Sequence, residues 1–141
     1  MKLLAWHCDS LRYRDEREST RPAGIHSVTP ERSSGDFYDV VLVFITVEPW
    51  DTSDHACRAS EVVTELVRQN GAGNGCVIMP FAHLSRQLAS PDVARALLRE
   101  VEAGVQHEGG AATLTSFGFH KLLELSMKAL GHPGSVAYRE I

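Results

Sequence analysis

The chain lacks the segments that would carry it into or across a membrane. No apolar run among its 141 residues approaches the ~20 that a helix needs to span a bilayer. The stretch from Met1 to His7 turns polar too early for a secretory signal peptide. We therefore expect a cytoplasmic protein without membrane contact. A chain of this length holds one core, so we expect a single domain over residues 1–141.

Cysteine is scarce and poorly placed for cross-links or metal binding. The three cysteines Cys8, Cys57 and Cys76 form no C-x-x-C pair. Two of them lie in apolar stretches, where free cysteine usually behaves as a small buried hydrophobe. The pairs His7-Cys8 and His55-x-Cys57 bring candidate ligands together, but structural zinc takes four ligands in recognisable pairs. We expect no disulfide, no metal and no cofactor.

Two classes of functional signal are also missing. The net charge of −4 disfavours a protein that coats nucleic acid by electrostatics. It still allows one that grips a single-stranded RNA end by stacking and hydrogen bonds. The motifs Gly-x-Ser-x-Gly, His-Glu-x-x-His and Gly-x-Gly-x-x-Gly do not occur. The glycine-rich run at 71–75 precedes a strand and opens no helix, so its context is wrong for a phosphate-binding loop.

What the chain does contain is a series of strand and helix patterns. The β-branched run Val40 to Val47 predicts a central strand buried on both faces. Ser90-Pro91-Asp92 is typical of a helix start, with a cap, a proline in the first turn and an acid near the positive end of the helix dipole. The predicted strands are Lys2 to Cys8, Val40 to Val47, Cys76 to Met79, Ala112 to Phe117 and His120 to Lys128. The predicted helices begin near Ser53, Ala82 and Ser90.

Two stretches need separate treatment. The polar stretch Asp9 to Asp39 has room for a hairpin, but the charges from Arg12 to Arg17 would make its strands exposed. After residue 120, apolar and polar residues alternate strictly, which favours a half-buried strand over a helix. We predict this strand and Ala112 to Phe117 as antiparallel neighbours turned at Gly118-Phe119. The fold class is α/β, with a mixed β-sheet and helices packed against it.

The run from Pro80 to Ser85 is the strongest functional signal. It follows a short apolar strand, and ligands of α/β folds bind at the carboxyl ends of strands. If the loop leads into a helix, its N–H groups are unpaired and can donate to an oxyanion. The simpler alternative is a strand-to-helix turn in which Phe81 only fills the core.

These residues also carry a family resemblance. The motifs are Pro80-Phe81-Ala82-His83-Leu84-Ser85, His7-x-Asp9, Gly118-Phe119-His120-Lys121 and Gly131-His132-Pro133. With them, nearly the whole chain resembles the N-terminal editing domain of archaeal-type threonyl-tRNA synthetases. The resemblance implies a D-aminoacyl-tRNA deacylase-like fold and hydrolysis of L-serine wrongly attached to threonine tRNA. It implies the 3′ end of that tRNA as partner, and a homodimer.

The resemblance also implies roles for individual residues. Lys121, His83 and Ala82 would be catalytic: Lys121 would bind a substrate oxygen, and the backbone of the Pro80–His83 loop would hold the oxyanion. The ribose 2′-hydroxyl would replace a side-chain base, leaving His83 to position the substrate. His120 departs from the tyrosine usual in the family. The implied substrate-binding residues are His7, Ile45, Val47, Pro80, Phe81, Ala82, His83, Phe117, Gly118 and His120.

Alternatives stand beside each of these roles. Lys121 can equally be a solvated lysine at a strand edge, and His7 and Asp9 can be a pair that holds the end of the first strand. A D-aminoacyl-tRNA deacylase would share the fold and the leaving group, although the Gly-Pro dipeptide of those enzymes is missing here. A module that binds an RNA end or an amino acid without hydrolysis is the alternative from a different class.

Overall fold

The computed structural model describes residues 1–19, 32–128 and 135–141, and these residues form six strands and two helices. The predicted α/β class is confirmed. In chain order the elements are β1 (Lys2–Glu18), β2 (Ser34–Thr46), α1 (Ser53–Asn70), β3 (Cys76–Pro80), α2 (Pro91–His107), β4 (Ala112–Leu114), β5 (Phe119–Met127) and β6 (Val136–Glu140).

The strands form one mixed sheet in the order β4-β3-β2-β1-β5. The β2–β3 and β3–β4 pairs are parallel, whereas β1 is antiparallel to β2, β5 and β6. β5 and β6 share one edge of β1, because β6 pairs with residues 2–6 and β5 with residues 8–18. Because β2 and β3 are parallel, they end at the same side of the sheet, which is where ligands bind in such folds.

The core occupies both faces of the sheet. Side chains alternate across a strand, so Val41 and Val43 of β2 pack with the helices while Leu42 and Phe44 join a second apolar cluster on the other face. All four are buried. The prediction of a central strand buried on both faces is confirmed.

The helix predictions hold for two of three segments. The structure has α1 and α2 as expected, and Ser90 caps α2 by accepting from the N–H of Val93 at 3.5 Å. The predicted helical piece from Ala82 to Leu88 is wrong, because these residues form an irregular loop. Hydrogen bonds attach both ends of this loop to the end of β2 and the residue beyond it. The N–H of Phe81 donates to the Ile45 carbonyl, and the N–H of Ala89 donates to the Val47 carbonyl.

The first strand is longer than the sequence pattern indicated. β1 continues through the charged stretch to Glu18 and pairs with β2 as a hairpin. Only one face of this extension is exposed, because Leu11 and Tyr13 are buried while Arg12 and Arg14 point to solvent. The turn of the hairpin lies outside the described residues, as does the motif Gly131-His132-Pro133.

The predicted pairing of the last strands is wrong. β4 pairs in parallel with β3, with Ala112 opposite Cys76, whereas β5 lies at the other side of the sheet with Lys121 opposite Asp15. The alternating pattern correctly identified β5 as a strand, but a period of two specifies the faces of a strand and not its neighbour. The pattern also missed β6.

Candidate active site

A cleft with a volume of about 350 Å³ lies at the carboxyl ends of β2 and β3. Its walls come from the end of β2, the loop after β3, the first turns of α2 and the segment that leads into β5. The structure brings all but one of the predicted site residues to this cleft: Ile45, Val47, Pro80, Phe81, Ala82, His83, Phe117, Gly118, His120 and Lys121. His7 is the exception.

The loop after β3 presents backbone donors to the cleft. Pro80 has no N–H, and the N–H of Phe81 donates to the Ile45 carbonyl at 2.9 Å. In the described part of the chain, no acceptor takes the N–H of Ala82 or of His83, and both residues are exposed. Two of the loop's amides are therefore available to a ligand, although the helix expected behind them is missing.

Aromatic packing fixes the side chains of this loop. The Phe81 ring lies 4.8 Å from the Phe44 ring, and the His83 ring packs edge-on against Phe81 at 5.1 Å. Phe81 thus joins the second apolar cluster and at the same time lines the cleft. From the sequence, Phe81 was expected either to fill the core or to line the site. In the structure its ring does both.

Lys121 lies in the cleft wall with its ammonium group engaged. Its Nζ is 3.1 Å from Asp15 Oδ1 and donates to the Ser116 carbonyl at 2.6 Å and to Ser116 Oγ at 2.8 Å. The contact with Asp15 is an ion pair, and the two contacts with Ser116 are hydrogen bonds. Burial lowers the pKa of Lys121 and the Asp15 carboxylate partly opposes this. The side chain is only 7% exposed, so the alternative of a solvated strand-edge lysine is wrong.

His7 lies at the other end of the parallel strands. It pairs across β1–β2 with Val41, which in turn pairs with Cys76 at the start of β3. Along β3 the cleft begins at Met79, which is three residues further on, or about 10 Å at the rise of an extended strand. The expectation that His7 lies beside the site is wrong.

The partner of His7 also differs from the one expected. Its Nε2 lies 3.0 Å from Asp39 Oδ1, while Asp9 binds Lys128 at 2.6 Å. Asp39 also accepts from the N–H of Gly73, and this bond, followed by the one to His7, lowers the pKa of the Asp39 carboxyl. These contacts join β1 to β2 and to the turn before β3. His7 therefore has a structural role.

The family model for the archaea-specific editing domain of threonyl-tRNA synthetase matches residues 1–141. The chain belongs to this family. The resemblance seen in the sequence motifs is thereby confirmed. The editing domain is 33% identical over 135 residues to the threonine–tRNA ligase of Thermococcus onnurineus, covering 94% of this chain and 21% of that protein. It is 33% identical over 143 residues to the ligase of Methanosphaera stadtmanae, covering 100% and 22%. The chain thus spans about a fifth of the length of these curated relatives.

Solved structures support the fold of the editing domain. A c-Myc DNA unwinding element binding protein aligns with a TM-score of 0.70 at 8% identity, covering 100% of this chain and 99% of that one. A probable eukaryotic D-amino acid tRNA deacylase aligns with a TM-score of 0.56 at 14% identity, covering 99% and 98%. At these identities the likeness shows the fold alone. The predicted D-aminoacyl-tRNA deacylase-like fold is confirmed.

Several features bear on what the editing domain can bind. In residues 1–19, 32–128 and 135–141, no group of three or more His, Cys, Asp or Glu side chains is placed to hold a metal ion. The cysteines are free, and burial raises the pKa of Cys76 to about 12. No helix within those ranges is long and apolar enough to span a bilayer.

Asp15, Ser116 and Thr46 contact residues of the cleft wall without lining the cleft themselves, and none of the three was predicted as a site residue. Asp15 and Ser116 are 101 positions apart and are joined by a 2.6 Å hydrogen bond that no local pattern reveals. Thr46 did leave a signal, because it is a hydroxyl side chain inside an apolar run predicted to be buried on both faces.

Ser116 and Lys121 together resemble a serine–lysine nucleophile pair, but the geometry opposes that role. Ser116 is buried, does not line the cleft and donates its hydrogen to Asp15 Oδ2. We expect Ser116→Ala to lower the free energy of unfolding by about 1–3 kcal/mol through loss of a buried partner. Urea unfolding checks this, and an unchanged midpoint would show that the Ser116 hydroxyl does not stabilise the fold.

Proposed function

We propose that this editing domain hydrolyses the ester between L-serine and the 3′ end of threonine tRNA. The observation that carries the proposal is the pair of available N–H groups, those of Ala82 and His83, at the wall of a cleft in a family of threonyl-tRNA synthetase editing domains. Ester hydrolysis passes through a tetrahedral oxyanion, and each well-placed donor to it is worth ~10²–10³ in rate.

The need for such a reaction is energetic. Threonine and serine differ by one methyl group, and a pocket gains only ~1–3 kcal/mol from such a group. A synthetase that selects threonine by binding alone therefore also accepts serine at a low frequency. A second site that admits serine and excludes the larger threonine corrects the error. The apolar cleft walls formed by Ile45, Val47 and Phe117 are suited to such a steric exclusion.

The proton of the attacking water needs an acceptor. Among the described residues, the titratable side chains that line the cleft are His83, His120 and Lys121. The Lys121 ammonium is already bonded to Asp15 and Ser116. We assign proton handling to the 2′-hydroxyl that neighbours the ester on the terminal ribose, and substrate positioning to His83. Pro80 and Phe81 form the wall against which the terminal adenine packs.

The proposal predicts selectivity for the smaller amino acid. We expect the domain to release serine from seryl-tRNA at least about tenfold faster than threonine from threonyl-tRNA, because the added methyl group collides with the cleft wall. Each ester on threonine tRNA is incubated with excess domain, and amino-acid release is followed over time.

One further ester and one binding measurement distinguish the alternatives. Faster release of D-serine than of L-serine would make the domain a D-aminoacyl-tRNA deacylase. Tight binding of seryl-tRNA without release of serine would make it a binding module. Equal rates on seryl-tRNA and threonyl-tRNA would contradict the editing assignment itself.

A further inference from the structure

Phe44 and Ile45 of β2, and Val47 just beyond its end, line the cleft. Thr46 lies between Ile45 and Val47 and is only 1% exposed. A buried hydroxyl is costly unless it is hydrogen-bonded, so the contacts of Thr46 are informative.

Those contacts close a turn around the two available amides. Thr46 Oγ1 donates to the Phe81 carbonyl and accepts from the N–H of Leu84 at 3.4 Å. The two residues between these contacts are Ala82 and His83. We call residues 81–84 the donor loop. The hydroxyl uses both its donor and an acceptor site on this one loop.

Among the described residues, no hydrogen bond holds the backbone of Ala82 or His83 directly. No helix follows the donor loop to orient its amides; Phe81 donates its N–H to the Ile45 carbonyl, and its ring packs on Phe44 and His83. A second tether lies beyond the loop, where Ser85 donates to Glu48 at 2.6 Å. The directions of the Ala82 and His83 N–H groups therefore depend on the Thr46 hydroxyl.

We infer that Thr46 is a positioning residue that aims the Ala82 and His83 amides at the oxyanion. The inference rests on the proposed function, and it adds to it a side chain that does not itself contact the substrate. Oxyanion donors act at about 2.7–3.1 Å, and a shift of about 1 Å in a positioned group can cost ~10² in rate. Loss of one hydroxyl is enough to allow such a shift.

The test replaces Thr46 with valine, which keeps the shape and removes the hydroxyl. We expect kcat for seryl-tRNA hydrolysis to fall about 10²-fold while KM changes less than about threefold, because the donors act in the transition state. Thr46→Ser restores the hydroxyl and should recover most of kcat. The matched control is Thr64→Val on α1, whose buried hydroxyl has no partner in the described residues and which should leave kcat unchanged.

A second measurement separates this inference from the proposed function. Amide hydrogen exchange at Leu84, whose N–H donates to Thr46 Oγ1, should quicken in Thr46→Val and return to its original rate in Thr46→Ser. If the original domain hydrolyses seryl-tRNA but Thr46→Val keeps its kcat, the inference is wrong and the function stands. A domain with no activity overturns both. If the valine variant does not fold, Thr46→Ala removes the same hydroxyl without adding bulk, and a full kcat in that variant would overturn the inference.

Discussion

Seryl-tRNA whose terminal adenosine lacks the 2′-hydroxyl is expected to bind the editing domain but to resist hydrolysis. The expected loss is about 10²–10⁴-fold in single-turnover rate, the usual contribution of a positioned acid or base. The reason is that the candidate side-chain bases in the cleft already have other contacts. The Lys121 ammonium is held by Asp15 and Ser116, and the His83 ring packs on Phe81. Neither side chain is arranged as a base with a second group to orient it.

The measurement has two parts. Serine release is followed with the ribose and deoxyribose forms of the same mischarged tRNA, and binding is compared by competition. His83→Ala should lower the rate but leave substantial activity. His120→Ala is measured beside it for comparison, since both histidines line the cleft. Normal cleavage of the deoxyribose form together with an inactive His83→Ala variant would establish His83 as the general base and refute the ribose mechanism.

Lys121→Met is expected to destabilise the domain by about 3–5 kcal/mol, which is the usual consequence of removing one partner of a buried ion pair. Asp15 would keep a carboxylate that is only 10% exposed and has lost its cation. The free energy of unfolding in urea measures the effect. The double variant Asp15→Asn/Lys121→Met removes both charges and should regain most of the stability.

Lys128→Met is the matched control for this experiment. Lys128 also pairs with an aspartate, Asp9, but the two side chains are 35% and 54% exposed. Exposed pairs contribute about 0–1 kcal/mol, so this variant should unfold close to the original midpoint. A Lys121→Met protein that is just as stable as Lys128→Met would show that the buried pair does not stabilise the fold.

The double variant also decides the catalytic role of Lys121. A folded Asp15→Asn/Lys121→Met protein that no longer hydrolyses seryl-tRNA would place Lys121 in contact with the substrate. One that retains activity would limit Lys121 to holding the segment around Ser116 in place. The single variant alone cannot make this distinction, because loss of fold and loss of chemistry give the same result.

Local patterns predicted the parts of the cleft that are local in sequence. The apolar run before Val47, the strand ending at Pro80 and the capped helix at Ser90 were each visible because strands and helices have characteristic periods and boundary residues. The carboxyl ends of the two strands then located the cleft, since parallel strands direct their ends to one side of the sheet.

The failures have physical reasons that concern distance along the chain. The pairing of Lys121 with Asp15 depends on which edge of the sheet β5 occupies, and alternation carries no information about that edge. The charged residues after Asp9 indicated that any strand there would be exposed, but Tyr13 is buried in the second apolar cluster, which only the folded sheet brings together. His7 was linked to Asp9 by nearness in sequence, while the fold offers it Asp39.

The position of β1 in the sheet has a consequence for the order of folding. β1 lies between β2, which follows it along the chain, and the pair β5 and β6 near the other end. The β1–β2 pairing joins segments that are near one another in the chain, whereas the pairing of Asp15 with Lys121 joins distant parts, is entropically more costly and is slower to form. The wall of the cleft that contains Lys121 is therefore added late. Until then the outer edge of β1 is a row of unpaired backbone groups, open to association with a second copy of the chain.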